Sequence, residues 1–203
     1  MQLKKPLFGL IAATCILALA GSAPARADVV TYTIDPAHSS VSFAVKHMVV
    51  TNVRGGFDKF EGKILYDAED ITESSVEVTI DAASIDTENE KRDQDLRGEG
   101  FLSADQFPTI TFKSKSVRED GDGFVVTGDL TIRGVTKEVE FPFVLAGPVT
   151  NPWGTAVIGV MAELEINRQD YGVSWNKALD NGGVLVSDTV KIELNVEALP
   201  ADA

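Results

Sequence analysis

Several things are scarce in this 203-residue chain: it has one cysteine, two histidines, and 18 basic residues against 31 acidic ones. The single cysteine, Cys15, lies in an apolar run near the N-terminus, so everything after it is thiol-free. Disulfides, thiol nucleophiles, iron–sulfur clusters and cysteine zinc sites are thereby excluded from the remainder. The histidines are His38, in the turn-like Asp35-Pro36-Ala37-His38-Ser39-Ser40, and His47 nine residues later. On one straight strand they would project to opposite faces, whereas a zinc site needs at least three convergent ligands, so no metal or other cofactor is expected. The formal charge of −13 removes phosphate neutralisation and attraction to acidic lipid, which speaks against nucleic acid and anionic membranes as partners.

Long apolar runs are also missing, with one exception at the start. Lys4 and Lys5 precede apolar Leu7 to Ala20, and a small-residue stretch ends at Ala25-Arg26-Ala27, the layout of a secretory signal. About 14 apolar residues at about 1.5 Å each fall short of the roughly 30 Å of a bilayer core, so no stable membrane insertion is expected. Cleavage before Asp28 leaves residues 28–203 as one exported domain. Loss of Lys4, Lys5 and Arg26, with no acid, moves the charge from −13 to −16.

What is present is alternation. Val41, Phe43, Val45 and His47 share one phase, as do Val76, Val78 and Ile80. So do Phe124, Val126, Leu130 and Ile132, then Val139, Phe141, Phe143 and Leu145. Ile158, Val160, Leu164 and Ile166 follow, and last Val190, Ile192, Leu194 and Val196. A period of two means strands with one apolar and one wet face. Turn residues at Gly55-Gly56, 120–123, Arg133-Gly134, Gly147-Pro148 and 181–183 punctuate the runs and favour a meander. Pro142, in an outward phase, marks an edge, a bulge or a barrel rim. The chain is thus all-β and mainly antiparallel, and periodicity alone leaves a closed barrel and a two-sheet sandwich open.

Two segments break the rhythm. Thr87 to Ala104 is charged and reads as a loop with a short helix near Asn89 to Leu96; residues 170–183 form a second excursion rich in aromatics and glycine. Excursions at strand ends commonly shape a binding mouth. Arg92 and Arg97 lie in the first, Arg133 in a hairpin turn and Arg168 at the start of the second. At a mouth such guanidiniums could hold a phosphate or carboxylate, the competing role being ion pairing with the abundant acids. There is no Gly-x-Ser-x-Gly elbow, phosphate loop or dinucleotide fingerprint, and the acids mostly occupy outward phases and turns, so catalysis is the weaker reading.

One ordered set of strings is specific. It runs from Tyr32-Thr33-Ile34-Asp35-Pro36-Ala37-His38-Ser39 through Val45-Lys46-His47-Met48, Gly55-Gly56-Phe57 and Phe60-Glu61-Gly62 to Ser84-Ile85-Asp86-Thr87. It continues with Arg92-Asp93, Leu96-Arg97, Phe107-Pro108-Thr109-Ile110-Thr111-Phe112, residues 128–137, and Ile166-Asn167-Arg168 followed by Asp170-Tyr171-Gly172. In order and spacing it resembles the YceI-like family of exported, lipocalin-like proteins. The resemblance implies an eight-stranded antiparallel barrel with a short helix in a long loop, an apolar tunnel for a polyisoprenoid or other long-chain lipid, a homodimer, and residence in the periplasm. Carried over by position, Phe43, Val45 and His47 fall on the interior strand with Val160 on the tunnel wall. Leu96, Arg97 and Phe101 fall in the first excursion, and Asn167, Arg168, Tyr171 and Trp175 in the second. The chain departs from the pattern where relatives carry histidine, here Asp95, and an acid before the phenylalanine, here Gly100. Asp95 disfavours an anionic pyrophosphate and favours a neutral or cationic head group.

The leading expectation is a non-catalytic carrier or sink for such a lipid. The alternatives are an enzyme on a lipid or glycan using carboxylates or His47, and an interaction module with a solid barrel.

Overall fold

The computed structural model describes residues 29–121, 123–180 and 182–202. The export signal and cleavage before Asp28 lie outside the described residues, as do Asp122 and Asn181 of two expected turns. Eleven strands are present: β1 (Val30–Ile34), β2 (Ser40–His47), β3 (Thr51–Phe57), β4 (Phe60–Tyr66), β5 (Ser75–Asp81), β6 (Ile85–Asp86), β7 (Thr109–Asp120), β8 (Gly123–Ile132), β9 (Val135–Thr150), β10 (Ala156–Asn167) and β11 (Val186–Pro200).

Three consecutive pairs act as single bent strands. β1 and β2 both pair with β11, β1 with β4 and β2 with β3, while β3 pairs with β6 and β4 with β5. The ring therefore closes as an eight-member antiparallel meander, β1/β2, β3/β4, β5/β6 and then β7 to β11, back onto β1/β2. Closure leaves only short unpaired stretches for another chain to extend. Among the described residues the β9–β10 ladder ends at the pair Phe143–Ala162. Pro142 is next and has no N–H to continue it, which explains its outward place in a closed barrel.

The ends differ. β2–β3, β8–β9, the segment after β6 and the β10–β11 connection meet at one end; the β4–β5, β7–β8 and β9–β10 turns and the chain terminus at the other. At the second end Tyr32, Ile64, Tyr66, Ile158 and Ala198 pack into a buried plug, backed by Ile71, Val76, Leu145 and Val160. Tyr32 and Tyr66 meet edge to face at 5.7 Å. Beneath them the carboxylate of Asp67, 1% exposed, accepts from the amides of Glu69 and Asp70 at 3.0 and 3.1 Å and holds the β4–β5 turn.

At the first end, α1 (Glu90–Arg97) forms where the charged segment was expected to hold a helix. Asn89 caps it by accepting from the Arg92 amide at 3.0 Å, acids Glu90 and Asp93 stand in its first turn, and the Gly98 amide donates to Asp95 as it stops. The β8–β9 turn is made by Arg133 and Gly134, both at positive φ. A side chain at Gly134 would lie 2.6 Å from the Phe107 ring, so glycine is required there for packing as well as for φ.

Candidate functional site

The inward phases of the strands do not close into a solid core. Phe43, Val45, Val78, Ile80, Phe112, Leu164, Ile166, Ile192 and Leu194 all point inward yet are only half-buried. In a filled sandwich such residues would be sealed on every side. Here they line a cavity of about 220 Å³, and apart from Ser42, Arg168 and the ring of Tyr171 its wall is entirely aliphatic or phenylalanine. It opens into a second compartment of about 580 Å³ lined by Lys46, His47, Arg92, Gln94, Asp95 and Trp175 together with apolar Val53, Leu96, Phe101 and Leu185. The tunnel alone falls below the range of about 300–1,000 Å³ for small-molecule sites; with its mouth it falls inside.

Phe43, Val45, Leu96 and Phe101 line both compartments, Tyr171 and Arg168 the tunnel, His47 and Trp175 the mouth. Three expected site residues stand elsewhere. Val160 backs the plug beside Tyr32, because phase along a strand does not report depth along the barrel. The side chain of Asn167 accepts from the Gln169 amide at 2.9 Å and caps the short turn Arg168–Tyr171. Arg97 donates to the carbonyls of Ala83 and Ile85 at 2.8 and 3.1 Å, fastening α1 to the β5–β6 bend.

The other arginines behave alike. Arg168 is 5% exposed and places all five N–H donors: Nε on Ser187 O, Nη1 on Val173 O and Trp175 O, Nη2 on Val186 O and Asp188 Oδ1. Burial pulls its pKa down and Asp188 pulls it back up, leaving a cation that holds the second excursion in shape. Arg133 donates to Gly172 O and Glu99 O, tying the two excursions together. Arg92 donates from Nε and Nη2 to Thr87 Oγ1 and O, both at 2.7 Å, while Thr87 donates to buried Asp93. The ion-pair reading holds in part, for Arg168 with Asp188 at 3.2 Å and Arg97 with Glu90 at 3.5 Å, but most of their donors go elsewhere. They bind backbone carbonyls and build the mouth.

The mouth itself carries Lys46 and Arg92 against Asp95, so no single charge sign dominates. Trp175 meets Phe101 at 5.2 Å between ring centroids, tilted by 40°. A side chain at Gly100 would stand 3.3 Å from the Trp175 ring, so the departure at Gly100 lets this indole lie across the mouth. Asp95 faces the mouth, where the family pattern drew attention to it, whereas Lys46, Gln94 and Leu185 were not among the expected site residues. The outward phase of Lys46 hid it, and the helical loop gave no period to follow.

A third group lies off the cavity. Among the described residues Asp35, His38 and Glu197 are the potential metal ligands that gather within 4.8 Å. His38 Nδ1 lies 2.7 Å from Asp35 Oδ2 and 3.9 Å from Glu197, and Asp35 also takes the Ala37 amide at 2.9 Å. The Asp35 hydrogen bond raises the imidazole pKa above its ordinary value, and the same bond lowers that of Asp35. This is an ion pair closing the β1–β2 bend.

A closed eight-stranded antiparallel barrel with an apolar interior and one decorated end defines a lipocalin-like architecture. Residues 32–198 match the YceI-like domain, and the chain belongs to that family. A UPF0312 protein of Staphylococcus aureus strain N315 is 41% identical over 167 residues, covering 82% of this chain and 95% of the relative. Among solved structures, Burkholderia cenocepacia BcnA is similar with a TM-score of 0.72 at 27% identity, over 81% of this chain and 98% of that one. The Campylobacter jejuni YCEI protein has a TM-score of 0.65 at 26% identity, over 93% and 98%. A polyisoprenoid binding domain from Saccharophagus degradans, at 16% identity and TM-score 0.59 over 84% and 99%, shares the fold.

Proposed function

We propose that this protein is a non-catalytic binding protein that carries or sequesters a long-chain isoprenoid or comparable amphiphilic lipid, tail in the tunnel and head in the mouth. The observation that carries it is the half-exposure of inward-facing apolar side chains from Phe43 to Leu194 around one continuous cavity. Water in such a space gains little, and a chain displacing it gains about 0.8 kcal/mol per methylene buried. The polyisoprenoid-binding relative of the same fold supports the ligand class. Asp95 in the mouth, and the commitment of the Arg92 donors to Thr87, support a neutral head over a pyrophosphate, while Lys46 and Arg92 leave no acidic excess to favour a cation.

The polar groups of the mouth are divided between β2, with Lys46 and His47, and α1, with Arg92, Gln94 and Asp95, around an apolar tunnel, which supports binding over turnover. Periplasmic residence and a homodimer belong to the same reading, supported by the signal-like N-terminus and the family resemblance. Fractionation of the host and sedimentation of the isolated protein test them. For the ligand, the protein isolated from its host is extracted with organic solvent and analysed by mass spectrometry. A stoichiometric long-chain species is expected; a folded protein that yields none, and takes none up from added polyprenol, contradicts the proposal.

A further inference from the structure

The tip of the β2–β3 hairpin is built against its own interest. Its turn is closed by the Val50 amide donating to His47 O at 3.0 Å, and both central residues have positive φ, Met48 at 53° and Val49 at 62°. Such turns favour Asn-Gly, and a β-branched residue in the left-handed region is strained. The side chains gain little burial in return for that strain, since Met48, Val49 and Val50 are 42%, 64% and 83% exposed. Their surroundings give the reason for their place. The Met48 amide donates to Leu185 O at 2.8 Å, Leu185 lines the mouth, and Trp175 and Val184 beside it are each 42% exposed. Apolar surface therefore continues along one side of the mouth, from Phe101, Trp175 and Leu185 onto Val184 and the hairpin tip.

We propose that this tip, with Trp175 and Val184, docks the open end of the barrel on a bilayer of zwitterionic or uncharged lipid. The inference rests on the tunnel holding a lipid chain. Such a chain carried through water would expose every methylene, whereas a mouth pressed onto the bilayer passes it directly between two apolar phases. Exposed apolar residues at the rim of an apolar opening fit that surface. The acidic exterior repels anionic lipid and so selects against it.

The test is flotation of the protein isolated from its host with phosphatidylcholine vesicles. Wild type is expected in the vesicle fraction, and replacing a third of the lipid with phosphatidylglycerol should weaken it. The double variant Met48→Asn, Val49→Gly installs the residues this turn prefers, so it should melt no lower than wild type while its partition coefficient falls at least tenfold. Trp153→Ser is the control: that indole is 86% exposed at the opposite, plugged end and should not matter. Wild type that stays with the free fraction, or a double variant that floats equally, overturns the docking. So does a wild-type dimer that the double variant splits, because a second copy then covers the tip. The lipid extracted from the double variant reads the tunnel separately: it should equal that of wild type, and its absence from both proteins defeats the tunnel reading whatever the vesicles show.

Discussion

At the plugged end Tyr32 and Tyr66 meet edge to face over Ile158 and Ala198, which are 1% and 0% exposed. At the mouth Phe101 and Trp175 also meet ring to ring, but Trp175 is 42% exposed and the cavity lies beneath. The same eight strands enter both ends. At one end large side chains fill the lumen and hydrogen bonds serve short turns; at the other a buried cluster of Ala82, Ala104, Ile110, Leu130, Ile132 and Tyr171 packs the wall beside the cavity, and hydrogen bonds from Arg168, Arg133, Arg97 and Arg92 hold two long excursions in place around it. Stability is thus stored in packing across the lumen at the plug, and in packing beside the cavity together with charge-assisted bonds to carbonyls at the mouth. A hollow barrel can keep its opening only if the opening is braced by something other than its contents.

Substitutions can break that contrast. The largest effect is expected for Phe43→Asp, which sets a carboxylate in the tunnel shared by both compartments; lipid uptake should fall more than a hundredfold, read by a fluorescent fatty-chain probe, with the barrel's circular dichroism retained. Arg168→Met comes next. It strands carbonyls of Val173, Trp175 and Ser187, while Val186 O keeps its bond from Asn176, and should cost about 3–5 kcal/mol in chemical denaturation, with amide exchange rising across the second excursion before the plug. Tyr32→Ala at the plug should cost about 3 kcal/mol, whereas Leu96→Ala, which faces the cavity and leaves no sealed void, should cost under about 1 kcal/mol. Equal costs for these two would erase the distinction between the ends.

Gly100→Asp should leave the melting temperature nearly unchanged but displace Trp175, shifting its fluorescence and opening the mouth to quencher. The smallest effect concerns pH. Because the folded pKa of His38 lies above its unfolded value near 6.5, its contribution is complete below about pH 6.5 and is lost as pH rises through the folded value. Asp35, with a lowered pKa, contributes above its unfolded value and loses this as pH falls through the folded one. Denaturation midpoints should therefore dip slightly from pH 6 to pH 8, and His38→Gln should flatten the dip.

Strand phases were legible because a period of two assigns each side chain to a face whatever the tertiary structure. Thus Val41, Phe43 and Val45 on β2 and Ile192, Leu194 and Val196 on β11 line the tunnel as their alternation predicts. Whether those faces enclose space was not legible, since a barrel and a sandwich share the same alternation, and the motif order was needed to choose. Depth was hidden too: Val160 and Leu164 share a phase, yet one backs the plug and the other faces the cavity. The arginines misled because a guanidinium in a loop looks the same whether it awaits a ligand or a carbonyl. Asn167 could have been read locally, as a polar residue two before an amide at a strand end is a common turn cap.

The central claim is that the open half of the barrel is a tunnel for a flexible apolar chain. Affinity measured for one head group over a series of chain lengths tests it most directly. The account predicts a rise of about fourfold per added methylene, equivalent to about 0.8 kcal/mol, until the tunnel is filled, and a plateau beyond. Affinity that does not change with chain length would contradict it.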